Sequence, residues 1–436
     1  MATLFSQQSR IATFRKLWVA LARAQQELGL EISTHQIQQM EAHVDKIDFH
    51  RAAEYEKRFH HDVMAHIYAF GEQCPDAKPI IHLGATSCYV TDNADLILMR
   101  QGLQLIANSL RFLLKEGAEI AKRWADLPCL GYTHFQSAQP TTIGKRICLW
   151  LQDFLWDVQE WERLIAEIPL LGAKGATGTQ ASFLALFHGD MSKVSRLEEL
   201  IAQEFGFIKI VPISGQTYSR KLDVTVLNAL ASFAASAHKM GTDLRLLAHT
   251  KEILEPFDAE QIGSSAMPFK KNPILSERIC GLARFVISLA QNPVYTAATQ
   301  WLERSLDDSS NRRLAVPEAF LGVDAILQLL KSLLPRLMVN TEEIESRLHA
   351  ETPLLVMENI LMAAVQRGGN RQSLHEELRR IAIAAQKHAS PLEFLISQIE
   401  RERAFGLTRT DIVPLLDMHA LVGCAPNQVR EFLETI

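Results

Sequence analysis

Residues 91–128 read TDNADLILMRQGLQLIANSLRFLLKEGAEIAKRWADLP, and this stretch decides the fold. Apolar side chains recur at every third or fourth position, which is the period of an α-helix. Thr91 or Asp92 offers an N-cap, and about thirty residues follow without a proline. At 1.5 Å per residue such a helix is roughly 45 to 50 Å long. The stretch therefore predicts one very long helix.

The same helical pattern recurs further along the chain and predicts an all-α bundle. Within it, residues 226–240 (VLNALASFAASAHKM) are apolar on more sides than one partner helix needs. A helix that is apolar on several sides is buried on several sides. Burial within one chain and burial in a bundle shared between subunits explain the pattern equally well, and we expect the shared bundle. The further long patterns lie at about residues 142–168, 216–250, 274–290 and 309–338.

Shorter helices are predicted on either side of this central block. Residues 10–29 place apolar side chains on one face and end at Gly29, which can cap a helix. A second helix is predicted through residues 51–70 (RAAEYEKRFHHDVMAHIYAF). The predicted domain boundaries fall near residues 86 and 340. They give an N-terminal helical domain (1–86), a central long-helix domain (87–339) and a C-terminal helical domain (340–436).

Composition and charge indicate an ordinary globular protein. Hydrophobic residues make up 47% of the chain, and 45 basic against 50 acidic side chains leave a net charge of −5, which argues against a nucleic-acid partner. No apolar run reaches the ~18 residues that span a bilayer, and MATLFSQQSR lacks the apolar segment of a secretory signal. We therefore expect a cytoplasmic protein without a membrane partner. The six cysteines are scattered and are expected to be buried reduced thiols.

A glycine-rich run at residues 171–182 (LGAKGATGTQAS) holds Lys174 and invites a nucleotide-phosphate interpretation. Neither its spacing nor its context fits a phosphate loop or a dinucleotide fingerprint. Two interpretations stay open, a flexible connection and a mobile loop that touches substrate.

The histidines of residues 56–66 (EKRFHHDVMAH) raise the question of a metal. His61 and His66 are five residues apart, so they do not share the i, i+3 or i+4 face that helix-borne ligands need, and we predict neither a metal nor a cofactor. Together with Lys57 and Arg58, His60 and His61 form either a positive surface for an anion or a solvated helix face.

Two loops carry groups suited to proton transfer. In residues 131–145 (GYTHFQSAQPTTIGK), His134 lies among hydroxyl and amide side chains in a loop that leads to a helix near Thr141. In residues 263–273 (GSSAMPFKKNP), Pro268 forbids a helix and Pro273 suits the start of the next one. The N-terminus of that helix, with Lys270, Lys271 and Asn272, is predicted to receive a carboxylate. Such groups suit proton abstraction beside a carboxylate, although a lysine-rich loop can also be a solvated turn.

The sequence of residues 263–273 resembles the signature of the fumarase/aspartase superfamily. That signature alone would leave the argininosuccinate, aspartate and malate branches open, but six other runs resemble the adenylosuccinate lyase family, and the match covers nearly the whole chain. These runs are EKRFHHDVMAH (56–66), IIHLGATSCYVTDNADL (80–96), GYTHFQSAQPTTIGKR (131–146), GATGTQASFLALF (175–187), SGQTYSRKLD (214–223) and QWLERSLDDSSNRR (300–313).

The resemblance implies an all-helical homotetramer of three-domain subunits, with active sites built from three subunits. It implies release of fumarate from two succinylated nucleotides, adenylosuccinate and the succinocarboxamide precursor of aminoimidazole carboxamide ribotide. It makes Ser264 the base, His134 the acid and Glu277 its orienting partner, while Lys270 and Asn272 hold the carboxylate that gains charge. The other implied substrate contacts are Thr86, Ser87 and Thr133 at the succinyl group, and His60, His61, Asp62, Gln216, Arg278, Arg304, Ser309 and Arg313.

One segment departs from the family pattern. Members usually carry an Arg-Tyr-x-Ser segment ahead of the first helix, where it helps to bind the nucleotide, whereas the present sequence reads MATLFSQQSR there. Two rival functions are a fumarate-releasing lyase acting on argininosuccinate and a non-catalytic scaffold of this fold. The joint presence of Ser264, His134, Lys270 and Glu277 argues against a scaffold, which does not need that set.

Overall fold

The computed structural model describes all 436 residues, and most of them are helical. The helices are α1 Gln7–Glu27, α2 Thr34–Glu41, α3 Phe49–Phe59, α4 Asp62–Gln73, α5 Ser87–Arg123, α6 Ile143–Glu167, α7 Ala181–Leu186, α8 Met191–Glu204, α9 Lys221–His249, α10 Ile274–Leu289, α11 Gln291–Thr299, α12 Asp307–Leu333, α13 Thr341–Leu355, α14 Met357–Gln366, α15 Arg371–Ala385, α16 Pro391–Arg401, α17 Arg409–Ile412, α18 Met418–Leu421 and α19 Ala425–Leu433. Single 3₁₀ turns lie at Leu334–Arg336, Arg403–Phe405 and Val413–Leu416.

The helical fold class predicted from the sequence is confirmed, with two small antiparallel sheets added to it. Strands β1 (Pro128–Thr133) and β2 (Gln136–Thr142) form a hairpin, with an irregular register between Leu130 and Gly131. Strands β3 (Ile253–Leu254) and β4 (Met338–Val339) pair over two residues. None of the helices combines the length and the apolar character that crossing a membrane would need.

The chain folds into two compact units, each made of three separated segments. The first unit comprises Met1–Leu110, Trp156–Ala237 and Gly281–Gln328, and the second comprises Arg111–Leu155, His238–Cys280 and Leu329–Ile436. The five long helices α5, α6, α9, α10 and α12 each contribute residues to both units. The division into three domains at residues 86 and 340 stays a prediction.

The long helices pack closely because small residues and buried aromatic rings meet at their crossings. In the first unit, a Cβ on Gly102 of α5 would lie 2.8 Å from the Phe320 ring of α12, so only glycine fits there. The Trp161 indole of α6 is fully buried and donates to the Ala229 carbonyl of α9 at 3.3 Å. In the second unit, the Trp150 indole of α6 donates to Asp243 of α9 at 2.7 Å. These contacts fix the axial positions of the helices.

Two helix predictions are wrong in detail. The helix predicted through residues 51–70 is two helices, because His60 adopts a left-handed conformation (φ 53°) that ends α3. The long helix α5 begins at Ser87, so neither Thr91 nor Asp92 caps it. Five of the six cysteines are buried thiols, as predicted, whereas Cys424 is exposed.

Candidate active site

A polar cavity of about 730 Å³ lies within the first unit. Its wall combines the break between α3 and α4, the start of α5, the segment before α9 and the start of α12. Eight of the residues predicted to contact substrate therefore meet in one place, although they come from four separate parts of the chain. They are His60, His61, Asp62, Ser87, Gln216, Arg304, Ser309 and Arg313.

The helix break places the two histidines at this cavity. His61 is the N-cap of α4, and its ring Nδ1 accepts a hydrogen bond from the Met64 N–H at 3.3 Å. In the neutral ring the proton is therefore on Nε2, which lies 3.4 Å from the Ser87 hydroxyl oxygen. Because the helix ends at His60, both rings are exposed at the cavity wall. Periodicity alone could not predict this break.

Gln216 connects the cavity to the glycine-rich segment. Its amide nitrogen donates to the Ala176 carbonyl at 3.1 Å, and its amide oxygen accepts from the Cys88 thiol at 3.3 Å. Lys174 is buried and pairs with the Glu198 carboxylate at 2.9 Å. Lys174 is therefore committed to an internal ion pair and is not available to bind phosphate.

Beneath the cavity lies a buried ion-pair network. Arg220 pairs with Asp92 at 2.8 Å and with Asp308 at 2.7 Å, and all three side chains are almost inaccessible to solvent. Burial is the largest single effect on Arg220 and lowers its pKa, but the charge and hydrogen bond of Asp92, together with Tyr218, raise the pKa overall. Asp308 also holds Arg304 at 3.1 Å, so the network fixes a predicted substrate-binding side chain from below.

A second ion pair crosses the cavity wall between Arg313 and Asp62, at 2.6 Å. Burial tends to raise the pKa of the Asp62 carboxyl, but the Arg313 guanidinium, with a contribution from Arg10, lowers it overall. Asp62 is therefore ionised and stabilises the position of Arg313.

The residues of the proposed proton-transfer step lie in the second unit. In the loop before α10, the Ser264 hydroxyl oxygen accepts hydrogen bonds from the Met267 N–H at 3.1 Å and from the Ala266 N–H at 3.4 Å. The Asn272 amide donates to the Gly263 carbonyl at 2.8 Å, which closes the loop on itself. A side chain at position 263 would overlap the Lys270 carbonyl, so the loop requires Gly263.

The N-terminus of α10 corrects one sequence-based prediction. Its free N–H groups at Leu275 and Ser276 donate to the Glu255 carboxylate at 2.9 and 2.7 Å. The anion held by this helix terminus is therefore the chain's own Glu255, and not a substrate carboxylate. Glu277 and Arg278, in the first turn of α10, are exposed.

His134 lies at the tip of a hairpin, where the sequence had predicted an irregular loop leading to a helix near Thr141. His134 and Phe135 both have positive φ values, 53° and 57°, and form the two-residue turn between β1 and β2. Thr133 and His134 are exposed, and no hydrogen bond joins His134 to Glu277 or to Ser264. The orienting hydrogen bond between His134 and Glu277 that the resemblance implies is therefore not formed within this chain.

Several cavity residues were not predicted individually from the sequence. Asp308 and Arg312 lie within the run 300–313, and Arg220 lies within the run 214–223, so the family motifs contained the signal. Arg10 lay outside every quoted motif except the helical pattern of residues 10–29, and it lines the same cavity. Thr86 precedes Ser87 but does not itself line the cavity.

Comparison with known families first gives the class of the protein, which is a lyase. Residues 4–288 match the family described as Lyase, and residues 353–432 match the family described as Adenylosuccinate lyase C-terminus. Among solved structures, a fumarate lyase from Mesorhizobium sp. BNC1 superposes with a TM-score of 0.87 at 24% identity, covering 100% of this chain and 97% of that one. A 3-carboxy-cis,cis-muconate lactonizing enzyme from Pseudomonas putida gives a TM-score of 0.86 at 25% identity, covering 99% and 95% of the two chains.

The sequence relatives narrow the class to one family. The chain is 48% identical to the adenylosuccinate lyase of Saccharomyces cerevisiae and 47% identical to that of Schizosaccharomyces pombe, covering 100% and 99% of this chain and 91% of each relative. It is 45% identical to the adenylosuccinate lyase of Schistosoma mansoni, with 100% and 92% coverage. The chain belongs to the adenylosuccinate lyase family, a family of carbon–nitrogen lyases.

Proposed function

We propose that this chain, as a cytoplasmic homotetramer of purine nucleotide biosynthesis, releases fumarate from two succinylated nucleotides. One is adenylosuccinate, which gives AMP, and the other is the succinocarboxamide precursor of aminoimidazole carboxamide ribotide. The observation that carries the proposal is the cavity of the first unit, which gathers eight of the predicted substrate-binding side chains around a space large enough for a nucleotide. The full-length similarity to named adenylosuccinate lyases supports the same reaction.

The base in this proposal is Ser264. It takes the proton from the succinyl carbon next to the carboxylate, and the electron pair left behind forms the fumarate double bond as the carbon–nitrogen bond breaks. A serine hydroxyl is a weak base unless its alkoxide is stabilised. The Met267 and Ala266 N–H groups, which donate to its oxygen at 3.1 and 3.4 Å, favour the alkoxide over the neutral hydroxyl.

The acid is His134, which protonates the departing nitrogen, and Glu277 orients its ring. Lys270 and Asn272 hold the carboxylate on which negative charge develops, and an ammonium group is suited to that charge. The Asn272 amide donates to the Gly263 carbonyl within the loop, so substrate would replace that internal contact.

The remaining predicted residues bind the substrate. Hydroxyl groups suit the succinyl oxygens, and cationic or amide groups suit the phosphate, the carboxylates and the base. At the succinyl group we place Thr86, Ser87 and Thr133; elsewhere on the substrate we place His60, His61, Asp62, Gln216, Arg278, Arg304, Ser309 and Arg313.

Assembly is part of the proposal because no hydrogen bond joins His134 to Glu277 within this chain. Large apolar side chains stay exposed on the long helices, including Trp156 at 60% and Leu314 at 69% exposure. Such exposed side chains support burial against further copies of the chain. In the proposed tetramer, three subunits supply the first-unit cavity, the His134 hairpin and the Ser264 loop of each active site.

The proposal is tested by following fumarate formation with five separate substrates: adenylosuccinate, the succinocarboxamide nucleotide, argininosuccinate, aspartate and malate. We expect turnover of adenylosuccinate and of the succinocarboxamide nucleotide alone. Turnover of argininosuccinate instead would contradict the proposal and favour a lyase that acts on argininosuccinate. If no substrate released fumarate, a non-catalytic scaffold would be favoured. Ser264→Ala serves as the control for a contaminating lyase.

The shared site has a test of its own. Inactive His134→Ala and Ser264→Ala proteins are dissociated and reassembled together, and the mixed tetramers are verified by differential tags. If neighbouring chains supply the two loops, some sites regain both intact residues, and a measurable fraction of wild-type cleavage returns. Mixed tetramers as inactive as their parents would place both residues on one chain.

A further inference from the structure

The cavity of the first unit is lined by five guanidinium groups and six carboxylates, so its arginines are largely neutralised. Arg220 and Arg304 share Asp308, and Arg313 pairs with Asp62. Arg312 is held by carboxylates at 2.6 and 3.0 Å, and it is buried. A bound anion therefore gains most where a guanidinium lacks a carboxylate partner.

Arg10 is that guanidinium. It lies near the start of α1 and lines both this cavity and a smaller neighbouring one of about 220 Å³. No carboxylate lies within ion-pair distance of it, and its Nε is buried without a hydrogen-bond partner. Its only close aromatic contact is the Phe14 ring, 5.4 Å from the guanidinium carbon. A buried donor without a partner is costly unless a ligand supplies the acceptor.

We propose that Arg10 binds the 5′-phosphate of the nucleotide substrate, an inference that rests on the proposed function. A phosphate dianion offers several oxygens to a planar guanidinium and needs more compensating charge than a single carboxylate does. The carboxylate that gains charge is assigned to Lys270 and Asn272, whereas no single residue has been assigned to the phosphate. The exposed Arg313 guanidinium lines the same two cavities, so a phosphate beside Arg10 can also bind Arg313.

The test compares substrates that differ only in the phosphate, adenylosuccinate and its dephosphorylated form succinyladenosine. Arg10→Gln should raise KM for adenylosuccinate roughly ten- to hundredfold, the range for losing charge-assisted hydrogen bonds, with kcat within about threefold. Succinyladenosine, a weaker substrate for the wild type, should show the same kcat/KM in both proteins. Arg10→Lys keeps the charge and should recover part of the affinity for adenylosuccinate.

Lys16→Gln is the matched control, because it removes one positive charge from the exposed side of the same helix and does not line this cavity. This variant should leave KM and kcat unchanged for both substrates. If Arg10→Gln lowered kcat/KM equally for adenylosuccinate and succinyladenosine, or for neither, the assignment of Arg10 to the phosphate would be overturned.

A binding experiment separates this inference from the proposed function. Calorimetric titration with AMP and with adenosine needs no turnover, and Arg10→Gln should weaken AMP binding at least tenfold while adenosine binding stays constant. If the wild type cleaves adenylosuccinate but AMP binding does not depend on Arg10, the inference fails alone. If AMP binding depends on Arg10 but no fumarate forms, the proposed reaction fails alone. Thermal unfolding of each variant confirms that it is folded. If Arg10→Gln does not fold, Arg10→Lys is compared with the wild type instead.

Discussion

Replacing Arg220 by methionine should destabilise the first unit strongly, because it leaves two buried carboxylates without their shared counter-ion. The side chains of Arg220, Asp92 and Asp308 are 1%, 2% and 1% exposed. After the change Asp308 keeps Arg304 at 3.1 Å, while Asp92 keeps mainly the Tyr218 N–H at 3.3 Å. Breaking a buried pair on one side costs about 3 to 5 kcal/mol, and we expect a loss of free energy of unfolding in that range.

The matched control is Arg163→Met, which removes an arginine that is 47% exposed and pairs with Glu160 and Glu167 on its own helix. Exposed pairs of this kind contribute no more than about 1 kcal/mol. Urea unfolding is followed by circular dichroism and tryptophan fluorescence at one fixed protein concentration, since assembly shifts the apparent stability. Coincident curves from the two probes are needed before a free energy is assigned.

The double variant isolates the charge effect. Adding Asp92→Asn to Arg220→Met removes one of the uncompensated charges, so the two changes together should cost less than the sum of their separate costs. If Arg220→Met and Arg163→Met lowered the free energy of unfolding equally, or if the costs were strictly additive in the double variant, the interpretation that Arg220 is held by buried charge would be refuted.

Three further predictions concern catalysis and pH. Ser264→Ala should abolish turnover while substrate affinity, measured by titration, stays close to wild type; activity within tenfold of wild type would exclude Ser264 as the base. Lys270→Met should raise the barrier by at least ~3 kcal/mol, about a hundredfold in kcat, and a drop of only a few fold in steady-state kinetics would make this lysine a surface charge. The Trp18 indole donates to His82 Nδ1 at 2.8 Å, and burial, with the nearby His61 charge, lowers the His82 pKa to about 4. Since the unfolded chain takes up this proton near pH 6.5 and the folded chain only near pH 4, stability should fall as the pH drops through that window. His82→Gln should flatten the fall in a pH series of thermal midpoints, and an unchanged slope would contradict the assignment.

The long helices were predictable because their information is local. Apolar spacing located α5, α6, α9, α10 and α12 with ends within about five residues of those observed, and the same apolar residues pack each helix into the core. Helix breaks carry a weaker local signal. The break after α3 depends on a left-handed His60 and on the His61 ring as N-cap, and neither is among the residues that usually mark such a boundary.

The hairpin that carries His134 shows the same limit. Two-residue hairpin turns with positive φ at both positions usually contain asparagine, aspartate or glycine. Here the turn residues are His134 and Phe135, so the sequence gives no such signal, and the flanking Gly131 and Pro140 favour an irregular loop. A histidine held in a left-handed conformation at an exposed turn is uncommon, and such strain tends to persist where function needs the side chain in one place.

Partners that are distant in sequence could not be inferred from local pattern at all. Asp92 looks like a helix cap because it precedes a long apolar run, yet it lies inside α5 and binds Arg220, 128 residues away. Glu255 carries no recognisable motif, yet its carboxylate occupies the N-terminus of α10 that sequence reasoning had reserved for substrate. In both cases the fold brings the carboxylate to a partner that local sequence does not indicate, the Arg220 guanidinium for Asp92 and the N-terminus of α10 for Glu255. Arg10 is the opposite case. The fold brings it to a cavity lined by carboxylates, but none of them forms an ion pair with it, so its charge is available to a ligand.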